Sequence, residues 1–152
     1  METEVARCRE NCVIGIDPGH SGAIVVLDME GNYMDQIRLS KDSTEIRDFL
    51  KKYHASCKMI VCEKVKYKCG DGGKGAFTFG KEFGKITAIL ETIGFKVIYA
   101  IPTLWRTRLN VPLGASKSYL RDLARTKFPG SKMNFKNCDA FLIALFARSL
   151  IK

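Results

Sequence analysis

The chain reads as an α/β domain built on a mixed five-stranded sheet, three antiparallel strands followed by parallel ones, with helices on its flanks. Three observations predict it. Short runs over Cys12 to Ile16, Ala23 to Leu27 and Tyr33 to Leu39 follow one another across the tight links Pro18 to Gly22 and Met29 to Asn32, a meander of two hairpins. Two later runs, Met59 to Glu63 and Lys96 to Ile101, each come after a helical segment, the arrangement that right-handed crossovers onto one sheet require. The chain then ends in helical segments, Ser116 to Phe128 and Asn137 to Leu150.

Each element has its own justification. Asp42 with Glu45 three residues on is a helix start, and Ile46, Phe49, Leu50 and Tyr53 give that helix one buried stripe. Phe79, Phe83, Ile86, Leu90 and Ile93 mark a long amphipathic helix, which Gly94 ends by taking up the left-handed conformation. The run CDAFLIALFA (Cys138 to Ala147) is apolar around most of its circumference, as a helix buried on all sides should be. At 152 residues and 46% apolar composition the chain suits one domain over residues 1–152, with a flexible N-terminus over 1–11.

Three acids stand where apolar elements stop or start. Asp17 ends VIGID, Glu63 ends MIVCE, and Asp139 opens the terminal helix. An acid at the C-terminal end of a buried strand lies at the rim where open α/β sheets bind ligands. If the strands are neighbours, their carboxylates converge. Like charges about 4 Å apart cost roughly 4 kcal/mol at an effective dielectric near 20, so the cluster must share protons or hold a hard cation, with magnesium the default.

The excess of 25 Lys and Arg over 16 Asp and Glu gives a formal charge of +9, concentrated in Lys64 to Gly75, Leu104 to Leu109 and Lys117 to Lys136. A polyanion is the natural partner, nucleic acid first. Six cysteines form no CxxC pair, and Cys62 and Cys138 fall inside core elements, a use of cysteine as a small hydrophobe that suits a reducing, intracellular setting. No segment has the length or apolarity of a secretory signal or a membrane span, which predicts a soluble protein. The glycine-rich loop after Glu63 lacks the GxxxxGK[ST] spacing, so no nucleotide cofactor is expected there.

The element order is that of the ribonuclease H-like fold, and the motifs resemble one of its families, the RuvC-type Holliday junction resolvases, most closely the shorter branch encoded by phages and viruses. GIDPGHSGAIVVLD (Gly15 to Asp28) resembles the family's opening strand and hairpin. MIVCEKV (Met59 to Val65) is similar to the strand carrying its glutamate, and AFTFGKEFG (Ala76 to Gly84) to a helix start. The stretch from Ile101 to Pro129 resembles the family's Pro-x-x-Trp segment and Lys-bearing helix, and CDAFLIALFA its last helix, so the likeness spans roughly residues 13 to 148.

The resemblance implies a homodimeric endonuclease that nicks opposing strands of a four-way DNA junction. It would use two Mg²⁺ or Mn²⁺ ions about 4 Å apart, held by Asp17, Glu63 and Asp139, with Lys117 as a catalytic lysine. The pattern departs at the fourth ligand, where the family has an Asp or His shortly before the last acid. Here NFKNCD offers only the amides of Asn134 and Asn137. Lys66, Tyr67, Lys68, Lys74, Phe77, Arg106, Arg121, Arg125 and Lys132 are the expected DNA contacts, with Tyr67, Phe77 or Phe79 as an aromatic wedge at the junction centre. Gly80, Phe83 and Gly84 are the expected dimer surface, because small residues four apart permit close approach of another backbone, either the sheet of the same chain or, as symmetric cutting favours, a second helix across a two-fold axis.

Other readings fit less well. Sugar kinases and actin-like ATPases share an Asp-and-glycine first hairpin but duplicate the domain and are far longer. A broader flap or branched-DNA nuclease, or a catalytically weakened junction-binding protein, remains open on sequence.

Overall fold

The computed structural model describes residues 10–64 and 72–152. The elements in chain order are strands β1 (Cys12–Asp17), β2 (Ala23–Asp28) and β3 (Tyr33–Arg38), helix α1 (Ser43–Tyr53), strand β4 (Cys57–Glu63) and helix α2 (Gly73–Ile93). Strand β5 (Val97–Ala100) and helices α3 (Pro102–Arg108), α4 (Lys117–Lys127) and α5 (Cys138–Ser149) follow. The sheet order is β3-β2-β1-β4-β5, with β1, β2 and β3 antiparallel and β1, β4 and β5 parallel. The five-stranded mixed sheet with flanking helices is therefore the one the sequence predicts.

The local signals act as expected. Asp42 caps α1, its side chain accepting from the backbone N–H of Thr44 and Glu45. Gly94 ends α2 at φ 97°, its N–H donating back to the carbonyls of Leu90 and Glu91. Helix α2 starts at Gly73, before the first residue of its apolar stripe, and β4 starts at Cys57, ahead of its continuous apolar run. Helix α3 is an addition. It is seven residues long with Pro102 in its first turn and a single buried side chain, Trp105, too short to show a period in the sequence.

Strand alternation divides the core in two. Cys12, Ile14 and Ile16 of β1, with Ile60 and Cys62 of β4, face α1 and α2. Val13 of β1 and Val61 of β4 face the other way, toward α3, α4 and α5. Gly15 shares the face of Val13, and it is where α5 touches the sheet. A Cβ there would lie 2.2 Å from the backbone N of Ala144 and 2.6 Å from the carbonyl O of Ala140, so only glycine lets the helix rest on the strand. Arg148, near the far end of α5, donates to the Met29 carbonyl and ties the helix to the β2–β3 turn.

Cys12, Cys57, Cys62 and Cys138 are free thiols; Cys12, Cys62 and Cys138 are buried among apolar neighbours. Among the described residues, no helix is long and apolar enough to cross a membrane. The expectations placed on residues 1–9 and on Lys66, Tyr67 and Lys68 lie outside the described residues.

Candidate active site

Alternation that sends Val13 and Gly15 toward α5 sends Asp17, two residues further on, to the same side at the strand's end; Val61 and Glu63 repeat the pattern on the adjacent parallel strand. Asp139 sits in the first turn of α5, which lies across β1 at Gly15. The packing thus brings acids 46 and more residues apart in sequence to one edge.

Their energetics record the meeting. Asp17 is pushed up to about 6, first by loss of solvent around its carboxyl and then by the charge of Asp139, against the pull of Lys117 and a hydrogen bond from the Gly19 backbone. Glu63, 7% exposed, is pushed up to about 7 by burial and by the charge of Asp17, with Asp139 adding a smaller push. The Trp105 indole N–H works in the opposite sense by hydrogen-bonding the ionised form. Asp139 is buried, and its Oδ2 lies 2.7 Å from Nζ of Lys117. Burial pulls the Lys117 ammonium down, yet the hydrogen bond and charge of Asp139 leave it raised overall. Lys117 is placed by its own helix start, where the Ser116 hydroxyl accepts from the N–H of Tyr119.

Asp17, Glu63 and Asp139 are desolvated carboxylates at one edge, the first two driven toward protonation, and their oxygens are donors of the hard type that divalent ions such as Mg²⁺ prefer. Lys117 supplies cationic charge at Asp139. The acids act on one another through space; among the described residues no three His, Cys, Asp or Glu side chains are drawn together into a preformed metal shell.

The two asparagines weighed as a fourth ligand are occupied locally. Asn137 is buried, its Oδ1 accepting from the Asn134 N–H at 2.8 Å while its Nδ2 donates to Gln36 Oε1 and the Lys132 carbonyl. The Asn134 Oδ1 accepts from the N–H groups of Lys136 and Asn137. These bonds fold the loop that leads into α5 and lend no support to either amide as a metal ligand.

The basic residues divide. Lys117 reaches the acids, whereas Arg121 is paired with Asp122 at 2.7 Å and stacks over the Phe135 ring at 4.3 Å, and Arg125 leans on Asp122 at 4.0 Å. Arg106 lies over the Trp105 ring at 5.1 Å, close enough to favour the Glu63 anion. Lys74 and Lys132 are exposed. Phe77 is 76% exposed on the first turns of α2, whereas Phe79 stacks on Phe83, so of these two Phe77 is the open aromatic. Phe83 also packs against Tyr99 of β5 within its own chain. Gly80 and Gly84 lie on the open side of α2, with nothing within 4 Å of an added Cβ. A cleft of about 590 Å³ between the β2–β3 turn and residues 127–132 contains none of the acids.

Trp105 and Gly15 are the site residues that reasoning from sequence left without a role. Trp105 is fully buried, and its Nε1 donates to Oε2 of Glu63 at 2.7 Å. The chain's single tryptophan beside Pro102 is visible in the sequence, but its partner is set by a helix too short to predict.

No protein-family model matches the chain, and neither does any curated protein. Among solved structures it is similar to the Thermus thermophilus RuvC structure, with a TM-score of 0.68 and 17% identity over 89% of this chain and 92% of that one. It is equally similar to T. thermophilus RuvC in complex with Holliday junction substrate, with a TM-score of 0.68 and 16% identity over 90% and 92% of the two chains. At this identity the likeness establishes the fold, that of RuvC and the ribonuclease H-like proteins.

Proposed function

We propose that this chain is a metal-dependent endodeoxyribonuclease that resolves four-way DNA junctions by paired symmetric nicks, working as a homodimer. The observation that carries the reading is the convergence of Asp17 and Glu63, from adjacent parallel strands, with Asp139 on the helix seated at Gly15. A RuvC-like fold over 89% of the chain and a formal charge of +9 support it.

Asp17, Glu63 and Asp139 are the residues that would hold divalent ions. Such ions, when bound, supply an activated water and a counter-charge for the leaving oxygen. The chain's own groups do the rest. Lys117 places an ammonium where negative charge builds on the attacked phosphate. Lys74 and Lys132, both exposed, neutralise backbone phosphates, and Phe77 offers a ring to an unpaired base.

The test is incubation of a labelled immobile four-way junction and a linear duplex of equal length with the protein and Mg²⁺ or Mn²⁺. Symmetric, ligatable nicks in the junction alone are expected; no cleavage of either substrate overturns the enzyme reading. The absent fourth acid, with both nearby amides occupied, favours one second reading, a junction-binding protein of weakened activity. That reading predicts tight binding with cleavage only at millimolar Mn²⁺.

A further inference from the structure

Trp105 has two unusual features: it is fully buried, and the partner of its N–H is a carboxylate, Oε2 of Glu63 at 2.7 Å. A buried indole must find an acceptor, and a backbone carbonyl would satisfy the fold equally well. Here the acceptor is instead a side chain of the acid cluster, on the strand next to the one that carries Asp17. The indole can only donate, so the bond ties down one particular carboxyl oxygen of Glu63, Oε2, and leaves Oε1 outside it. Its ring is locked in the core between the sheet and α5, with the Arg106 guanidinium over one face.

We propose that Trp105 is a positioning residue for a divalent cation: its indole fixes one oxygen of Glu63 so that the other, Oε1, is presented to the ion. The inference rests on the reading of Glu63 as a cation ligand. The bond removes the freedom a glutamate would otherwise lose on coordination, the task that hydrogen-bonding partners of metal ligands perform. It also gives α3 a purpose. Pro102 starts a short helix directly after β5, and that helix carries the indole back to the end of β4.

Calorimetric titration of the metal-free protein with Mg²⁺ and Mn²⁺ tests it without reference to cleavage. Trp105→Phe, which keeps a ring and removes the donor, should bind the ions about 10- to 100-fold more weakly than the native chain. Equal affinity in the folded variant overturns the positioning role while leaving the nuclease reading standing, whereas a native protein that binds no divalent ion removes both. Should Trp105→Phe fail to fold, the native protein still decides the matter, because Trp105 is its single tryptophan. Its emission should change saturably as Mg²⁺ binds, and the change should vanish in Glu63→Gln. Emission that stays constant while calorimetry shows the site filling overturns the proposal.

Discussion

Asp17 and Glu63 are held with pKa values of about 6 and about 7, so the folded chain keeps protons that the unfolded chain has already released. The folded values are raised, and stability therefore falls as pH rises from the ordinary carboxylate range, about 4, through about 7. For Glu63, nearly closed to solvent, the penalty at pH 8 is about 3 kcal/mol. Glu63→Gln removes that charge and keeps an oxygen for the Trp105 N–H. In EDTA it should raise the melting temperature at pH 8 and leave it nearly unchanged at pH 4; an equal shift at both pH values would contradict the account. Asp17→Asn should abolish cleavage and leave junction binding intact, and retained cleavage would refute its assignment. The acids themselves were legible, since each ends or opens an apolar run. Their hydrogen-bonding partners were not, because the Trp105–Glu63 bond joins residues 42 apart through packing that no local pattern encodes.

Helix α5 on strand β1 decides whether Asp139 meets Asp17, and Gly15 decides how closely they pack. The Cβ of Gly15→Ala would run into backbone atoms of Ala140 and Ala144, which cannot rotate away as a side chain could. The helix must lift, carrying Asp139 with it, so urea unfolding should show a loss of 3 kcal/mol or about that, the upper part of the overpacking range. A loss below about 1 kcal/mol would mean that the contact is easily relaxed. Elements with a repeated signal were readable ahead of the structure. The α1 cap at Asp42 and the apolar run of α5 each gave the element and nearly its ends, whereas the α2 stripe and its stop at Gly94 gave that helix and its end but not its start, which lies at Gly73, six residues before Phe79. Helix α3 gave no such signal, for seven residues with one buried side chain cannot display a period.

For the whole molecule, two properties bear on the proposed junction substrate, the charge of +9 and the two-fold symmetry that paired cutting demands. Neutralising phosphates releases counterions, so junction affinity should fall with salt at a log–log slope near −0.9 for each phosphate met, several units in all; a flat response would exclude DNA as the ligand. Pairing of two cuts needs two sites across a two-fold axis. Gly80 and Gly84 bear on that need, because they face open space on α2 rather than their own sheet, where each weakens the helix by about 1 kcal/mol relative to alanine. No contact within the described chain accounts for them, whereas close approach of a second α2 would. The double variant Gly80→Ala/Gly84→Ala separates the two cases: in an isolated chain it should simply stabilise, by up to about 2 kcal/mol. If the glycines admit a partner, it should shift sedimentation at micromolar concentration from dimer to monomer and turn paired cuts into single nicks, even as the chain itself melts higher. A native protein that already sediments as a monomer would undermine the paired-cut reading itself, and a variant that stays dimeric and cuts in pairs would place the two-fold contact elsewhere on the molecule.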